Sequence, residues 1–152
     1  MTIDRLCAIK AMAIWKEISN LVQLFEILIV RYKETVVAIA IKRAYDAPAK
    51  TDGIRVLVDR IWPRGIKKTD AKIDIWLKDV APSTKLRQWF GHDPEKWIEF
   101  CDKYLAELKE NPVLVELQAL SRRDKITLVY AARDEQHNHA IVLKDLLGQE
   151  NN

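Results

Sequence analysis

Residues 54–65, IRVLVDRIWPRG, decide the fold because they begin as a buried strand and end as a charged turn. The first five, IRVLV, are mostly apolar on both faces, which is typical of a central strand in a parallel sheet. The turn then brings an aspartate, two arginines, a tryptophan, a proline and a glycine. In open parallel sheets, ligands bind outside the carboxyl ends of the strands. This turn is therefore a candidate ligand site.

From residue 36 onward, further strands and helices are predicted around that strand. Residues 36–44, VVAIAIKRA, and 125–130, KITLVY, are rich in β-branched and apolar side chains and read as strands. Each is followed by helical or turn-forming sequence, as in proteins with a parallel sheet. The predicted fold class is α/β: a single three-layer domain with a small, mainly parallel sheet flanked by helices, plus an N-terminal helical extension.

The predicted helices are marked by their start and stop signals. Two short helical pieces at 74–80 and 84–90 are separated by Pro82, with Ser83 as the cap of the second. Asp93, Pro94 and Glu95 predict a helix that runs to about residue 110. Another helix follows Pro112, and a last one within NHAIVLKDLLG ends at Gly148.

Residues 1–35 are predicted to form a helical extension of different character. Apolar residues recur at helical spacing between positions 14 and 29, which favours an amphipathic helix. Charged and polar side chains interrupt the stretch, so it matches neither a membrane span nor a signal peptide. It is an extra helix packed on the domain, a homodimer contact, or upstream sequence read from a misplaced start. The domain is expected at 36–149, with a tail at 150–152.

The composition is that of an ordinary globular domain of 152 residues with a net charge of +3. This mild positive charge permits phosphate-bearing ligands, whereas proteins that coat nucleic acid usually carry denser basic stripes. Cys7 and Cys101 form no CxxC pair, so neither a disulfide framework nor a structural zinc site is predicted. We expect a cytoplasmic protein without membrane association, in which Cys101 is a small core residue.

A second polar cluster follows the strand at 125–130. It contains Arg133, Asp134, His137, Asn138 and His139. If the two strands are neighbours, both clusters line one pocket at the carboxyl ends of the strands. Because arginine matches carboxylate and phosphate groups, the expected partner is a small anionic ligand.

Individual roles follow from the chemistry of the side chains. Asp59 and His139 are the predicted catalytic residues, as acid and base. The predicted ligand-binding residues are Arg60, Trp62, Arg64, Arg133 and Asn138. Structural alternatives stand beside these roles: Asp59 as a fold-holding ion pair with Arg60 or Arg133, Trp62 as core filler, and His139 as a capping residue. A metal site at His137 and His139 would need a third ligand, which Asp59 could supply, but an isolated HxH pattern is a weak signal, so neither a metal nor a cofactor is predicted.

Three motifs resemble the YeaO-like family, a domain of unknown function. They are GIRVLVDRIWPRG, IDIWLKDVAPSTKLRQWFGHDPEKWIEFCDKYLAEL and TLVYAARDEQHNHAIVLKDLL. The resemblance covers roughly residues 38–148 and implies a small cytoplasmic α/β protein, without supplying an activity. The family's polar signature falls on Asp59, Arg60, Trp62, Arg64, Trp76, Ser83, Arg87, His92, Arg133, Asn138 and His139. More distant relatives carry a Cys-His-Arg pattern where this chain has NHA, which implies that Asn138 replaces a thiol.

Three functions are therefore compared. The favoured one is a pocket for a nucleotide or a phosphorylated metabolite, with hydrolase or transferase chemistry as a further step. A nucleic-acid-associated binding module is less favoured and predicts strongly salt-dependent binding. The third is an interaction protein without chemistry, whose polar residues only satisfy one another.

Overall fold

The computed structural model describes residues 18–27 and 38–150. The chain divides into two compact units, Met1–Val36 and Val37–Asn152. In the first unit, residues 18–27 form helix α1, whose side chains are all exposed. The other positions of the predicted N-terminal helix, and Cys7, lie outside the described residues, so the three interpretations of the extension stay predictions. None of the described helices has the length and apolar character needed to cross a membrane.

Four parallel strands form the sheet of the second unit. They are β1 (Ile39–Arg43), β2 (Ile54–Leu57), β3 (Ile75–Trp76) and β4 (Ile126–Tyr130), in the spatial order β1-β4-β2-β3. β2 and β4 are neighbours, and Leu57 of β2 pairs with Val129 of β4. The predicted α/β class with a small parallel sheet is confirmed, and the two strands followed by polar clusters end side by side.

Five further helices surround the sheet: α2 (Lys68–Ala71), α3 (Thr84–Phe90), α4 (Trp97–Lys109), α5 (Pro112–Arg123) and α6 (His139–Glu150). The predicted caps are present. Ser83 Oγ accepts a hydrogen bond from the Leu86 N–H at 3.1 Å, and Asp93 Oδ1 accepts one from the Glu95 N–H at 3.0 Å. The helix predicted from Asp93 starts with a 3-10 turn at Pro94–Lys96 and continues as α4.

Two predicted boundaries were wrong. The segment 74–80 is not helical throughout, because Ile75–Trp76 pairs with β2 as an edge strand and only Lys78–Val80 forms a 3-10 turn. The Leu77 N–H extends the ladder by donating to the Leu57 carbonyl at 2.9 Å. Gly148 does not end α6, which runs to Glu150. A glycine inside a helix costs only about 1 kcal/mol relative to alanine, which the packing of the helix can offset.

The main core lies on one face of the sheet. Val56, Val58, Ile126 and Leu128 point to this face, where they pack against buried side chains of α3, α4, α5 and α6. Cys101 is partly buried against the same core, and burial raises the pKa of its thiol, helped by the nearby Asp102. This thiol is therefore an apolar packing group, as the sequence predicts.

A buried ion network occupies the other face. Asp52, only 7% exposed, lies 2.6 Å from Arg55 Nη1 and 3.1 Å from Lys42 Nζ. Arg55 Nε also donates to the carbonyl of Ala71 in α2, at 3.2 Å. Burial raises the pKa of Asp52, but hydrogen bonds from the Ala49 N–H, Lys42 and Arg55 outweigh it, so the pKa lies below its usual value. The network ties β1, β2 and α2 together.

Candidate functional site

A cavity of about 350 Å³ opens where β2 and β4 end. Its lining comes from the turn at 59–64, the segment 81–92, the loop 131–139, and the rings of Tyr45 and Phe100. The volume lies within the range of sites for small molecules. Residues from both of the polar clusters that the sequence predicts to meet therefore line one cavity.

Asp59 and His139 form the floor of this cavity. Asp59 Oδ1 lies 3.2 Å from His139 Nε2, and Asp59 Oδ2 accepts a hydrogen bond from the Ala131 N–H at 2.8 Å. His139 Nε2 is also 3.1 Å from the Val58 carbonyl oxygen. Because both neighbours of Nε2 are acceptors, this nitrogen carries the hydrogen. Asp59 thus contacts His139, and within the described residues it forms no ion pair with Arg60 or Arg133.

A tyrosine backs this floor from the side of α4. The ring of Tyr104 meets the ring of His139 edge-on, with 6.3 Å between their centroids, and its hydroxyl donates to the Val80 carbonyl at 2.7 Å. Burial raises the pKa of Tyr104 well above its usual value, and the charges of Glu107 and Asp59 add to the effect. The phenol therefore stays neutral and packs behind His139.

Three arginines stand around the cavity with few partners. Arg60 makes only long contacts, 3.3 Å to the Ala81 carbonyl and 3.4 Å to the carboxylate of Asp79. Arg87 donates to Thr84 Oγ1 at 3.2 Å, and the buried Nε atoms of both Arg60 and Arg87 have no hydrogen-bond partner. The side chain of Arg64 is exposed and, within the described residues, has no hydrogen bond or ion pair. The three guanidinium groups therefore have donors that no described residue of the protein satisfies.

Trp62 and Asn138 are held rigidly in the cavity wall. Trp62 Nε1 donates to the Ile66 carbonyl at 2.8 Å, and its ring packs edge-on against Trp76 at 5.6 Å. Asn138, 3% exposed, accepts from the Ile141 N–H at 3.3 Å, which makes it the N-cap of α6. Its amide also donates to the Asp134 carbonyl at 3.0 Å. Both side chains have a structural task in addition to lining the cavity.

The domain that carries this cavity is similar to known proteins. The family described as "Inactive DUF488-N3 subclade" matches residues 38–152. The uncharacterized protein YeaO of Escherichia coli is 44% identical over 107 residues, which cover 70% of this chain and 93% of that protein. This chain belongs to the YeaO-like family. The uncharacterized protein Rv3073c of Mycobacterium tuberculosis is 48% identical over 115 residues, 76% of this chain and 96% of its own. No solved structure is significantly similar.

The cavity of this YeaO-like domain gathers six of the seven predicted site residues: Asp59, Arg60, Trp62, Arg64, Asn138 and His139. Arg133 is the exception, because it is exposed and faces an adjacent cavity that it lines with His92, Ala131, Ala132 and Asp134. Asp134 lines that adjacent cavity with Arg133, whereas His137, Asn138 and His139 line the main cavity, so the loop divides the predicted cluster between the two.

Several lining residues were absent from the predicted set. Phe90 and Phe100 stack with 4.3 Å between their centroids and form an apolar wall of the cavity. Arg87 and His92 also line it, and both belong to the polar signature of the YeaO-like resemblance, which was the signal that could have found them. In the sequence alone, nothing separates Arg87 from an ordinary exposed charge on α3.

The loop before α6 is organised by Asp134. Its Oδ1 accepts from the Gln136 N–H at 2.8 Å, and its Oδ2 lies 2.9 Å from His137 Nδ1. The hydrogen bond from the Gln136 N–H, followed by that from His137, lowers the pKa of Asp134. The ring of His137 also packs edge-on against Trp97 at 5.3 Å. These contacts fix the loop that leads into α6.

Proposed function

We propose that this YeaO-like domain binds a small anionic ligand, a nucleotide or a phosphorylated metabolite, in the cavity at the strand ends. The observation that carries the proposal is the set of three guanidinium groups, on Arg60, Arg64 and Arg87, that surround a cavity without full protein partners. Buried donors are normally satisfied, so orphaned ones call for an explanation. A phosphate or carboxylate would supply the missing acceptors.

The apolar wall supports a ligand that is more than a free ion. Pro82, Phe90 and Phe100 offer buried carbon surface on the side of α3 and α4. Ligand sites usually combine such surface with a few convergent polar groups. An anionic group would lie at the arginines, and a ring or carbon chain would cover the aromatic wall.

The lining favours binding over covalent chemistry. Among the described residues that line the cavity there is no cysteine, serine, threonine or lysine, the side chains that most often form covalent intermediates. Hydrolase or transferase chemistry would therefore depend on Asp59 and His139 as acid and base. Asp59 already holds the Ala131 N–H and His139, which favours a positioning role. The description of the matching family as inactive points the same way.

A thermal-shift titration of the full chain tests the proposal. Inorganic phosphate, AMP, ADP and sugar phosphates are added singly, and a ligand at about 100 times its Kd should stabilise the protein by about 2.7 kcal/mol. In the Arg87→Gln variant this stabilisation should be lost. Lys85→Gln is the matched control, because it removes one positive charge from the same helix at an exposed position that does not line the cavity.

Two results would contradict the proposal. One is the absence of any stabilisation of the wild-type chain, which favours the interaction protein without chemistry. The other is equal loss of stabilisation in the Arg87→Gln and Lys85→Gln variants, which indicates diffuse charge attraction. A nucleic-acid partner is tested in parallel by gel shift with short oligonucleotides, since such binding weakens steeply with added salt.

A further inference from the structure

A surface beside the cavity combines basic side chains with tryptophan rings. This α2–β3 surface lies on α2, on the edge strand β3 and on the turn that precedes them. It consists of Trp62, Arg64, Lys67, Lys68, Lys72 and Trp76. Trp62 and Arg64 also line the cavity, whereas the three lysines and Trp76 do not. The α2–β3 surface is therefore distinct from the proposed ligand site but borders it.

The α2–β3 surface carries most of the net charge of the chain. Residues 64–76 contain four arginine or lysine residues and two aspartates, so they hold two of the three net positive charges. The three lysines and Arg64 are exposed and form no ion pair within the described residues. The two aspartates have other contacts, since Asp70 accepts from a threonine hydroxyl and Asp74 accepts the Arg55 N–H. These four cations are therefore free to meet an anionic partner.

Trp76 differs from the other tryptophans that the structure describes. Trp62, Trp89 and Trp97 pack against buried apolar clusters, but Trp76 belongs to neither cluster and is 39% exposed. Its Nε1–H donates to the Asp59 carbonyl at 2.7 Å, and its ring meets the ring of Trp62 edge-on at 5.6 Å. The indole is thus held in a fixed position at the sheet edge without serving the core.

The lysines lie next to this pair of rings. Lys68 Nζ is 5.8 Å from the ring centroid of Trp62, which in turn contacts Trp76. Proteins bind single-stranded nucleic acid with this combination, because bases stack on aromatic side chains and phosphates contact the neighbouring cations. Since hydrogen bonds within the protein already hold both indoles, little conformational freedom is lost when a base stacks on them.

The lengths of the local elements favour a single strand over other polyanions. β3 has only two residues, which is too short for an acidic peptide to add to the sheet edge as a further strand. α2 has only four residues, which is too short to read the major groove of a duplex. In a duplex, moreover, the faces of the bases are covered by their neighbours and cannot stack on Trp76.

We propose that the α2–β3 surface binds single-stranded nucleic acid, with a base stacked on Trp76 and phosphates at Lys67, Lys68 and Lys72. This inference goes beyond the proposed function, because it assigns a second surface and a polymeric partner. The two binding events are separable. Arg87→Gln, which should abolish the binding of a small anion in the cavity, should leave the binding of the strand unchanged.

Fluorescence anisotropy of the full chain with a labelled oligothymidylate of about 12 nucleotides tests the proposal. Between about 50 and about 200 mM salt, the logarithm of the affinity should fall against the logarithm of the salt concentration with a slope of about −2, as expected for about three phosphate contacts. The Lys67→Gln/Lys68→Gln variant should reduce this slope to about −0.7. Lys85→Gln/Lys103→Gln is the matched control, because it removes two exposed lysines elsewhere and should keep the wild-type slope.

Variants of Trp76 test the stacked base. Trp76→Leu should weaken binding roughly 5- to 150-fold, the range expected for the loss of one base–aromatic contact. Trp76→Phe keeps an aromatic face but, like the leucine variant, lacks the N–H that reaches the Asp59 carbonyl. It should retain most of the affinity. Equal losses in the two variants would assign the effect to the lost hydrogen bond and would overturn the stacking.

Three other results would overturn the inference. They are the absence of oligothymidylate binding at about 50 mM salt, equally tight binding of duplex DNA or polyglutamate, and equal changes of slope in the two double-lysine variants. Each leaves the proposed function intact, because stabilisation by AMP or phosphate depends on Arg87 and not on the lysines of α2. Conversely, a chain that binds the strand but is not stabilised by any small anion would refute the proposed function alone.

Discussion

Two groups of charged residues flank β2, and they differ in how their charges are satisfied. In the ion network of Lys42, Asp52 and Arg55, each charged group has an opposite charge or a carbonyl within hydrogen-bond distance. Among the described atoms of this network, only Arg55 Nη2 has no hydrogen-bond partner. At the strand ends, the side chains of Arg64 and Arg87 face a cavity without any ion pair within the described residues. Along the chain, Arg55 of the first group and Arg64 of the second are only nine residues apart.

This difference indicates which charged residues of the domain stabilise the fold and which are available to a ligand. A buried charge that finds its partners in the same protein holds elements together, and removal of one partner is strongly destabilising. A charge that faces a cavity without a partner adds little to the fold, and its surroundings suit a partner from outside. Substitutions in the first group should therefore change stability, and those in the second should change binding.

The largest expected effect is that of Asp52→Asn, which should lower the free energy of unfolding by about 3 kcal/mol, because the buried Arg55 and the partly buried Lys42 would lose their counter-ion. Urea denaturation followed by circular dichroism measures this change. A loss below about 0.5 kcal/mol would mean that the network is not a stabilising unit.

The same network predicts acid sensitivity. Since the folded-state pKa of Asp52 lies below its unfolded value, its contribution to stability is present above the unfolded pKa and is lost as the pH falls through the folded one. The Asp52→Asn variant should therefore lose less stability than the wild type when the pH is lowered from about 5 to about 2. Parallel losses in the two proteins would assign the acid sensitivity to other carboxylates.

The next effect concerns Gly53, the residue between Asp52 and β2. Its φ is 68°, and a Cβ there would overlap the backbone carbonyl of Lys125. Gly53→Ala should cost about 2–3 kcal/mol from backbone strain and the clash. Gly65→Ala is the matched control, because φ is 77° there but the space is open, and it should cost only about 1 kcal/mol. Similar melting temperatures of the two variants would contradict the predicted clash.

A smaller effect is expected at the boundary between the two groups of charges. Asp59→Asn keeps the shape of the side chain but removes the carboxylate that accepts hydrogen bonds from the Ala131 N–H and His139. The free energy of unfolding should fall by about 1–2 kcal/mol. Ligand binding should weaken as well, because the loop of Ala131 forms the cavity wall. The two effects are separated by measuring binding well below the melting temperature, where the variant is folded.

The smallest effect on stability is expected for Arg64→Gln. The side chain is exposed and has no partner in the described residues, so the free energy of unfolding should change by less than about 0.5 kcal/mol. Affinity for the anionic ligand should nevertheless fall by roughly 10- to 150-fold, since a charged hydrogen bond is worth about 1.5–3 kcal/mol. A stability loss comparable to that of Asp52→Asn would remove the distinction between the two groups.

Much of the architecture could be predicted because local signals were strong. Apolar runs marked β1, β2 and β4, and Ser83, Asp93 and Pro112 marked the helix starts. The edge strand β3 was missed because two residues carry no periodicity, and their pairing depends on the neighbouring β2. The ion pair between Lys42 and Asp52 could not be predicted from the sequence either, since the two residues meet only when β1 and β2 lie in the same sheet.

For the site, strand order was the decisive unknown. Polar sequence after each of two strands predicted two half-sites, and the adjacency of β2 and β4 joins them. The contributions of Phe90 and Phe100 could not be read from the sequence, because aromatic residues on helices are normally core residues and whether they also border a cavity depends on packing.

Asn138 constrains what this position could become. Asn138 caps α6 and donates a hydrogen bond to the Asp134 carbonyl, so it stabilises both the helix start and the loop before it. Replacing it with cysteine would weaken the start of the helix by about 1 kcal/mol and free the loop that shapes the cavity. A variant with a reactive sulfur at this position would therefore need a second substitution that restores the start of the helix.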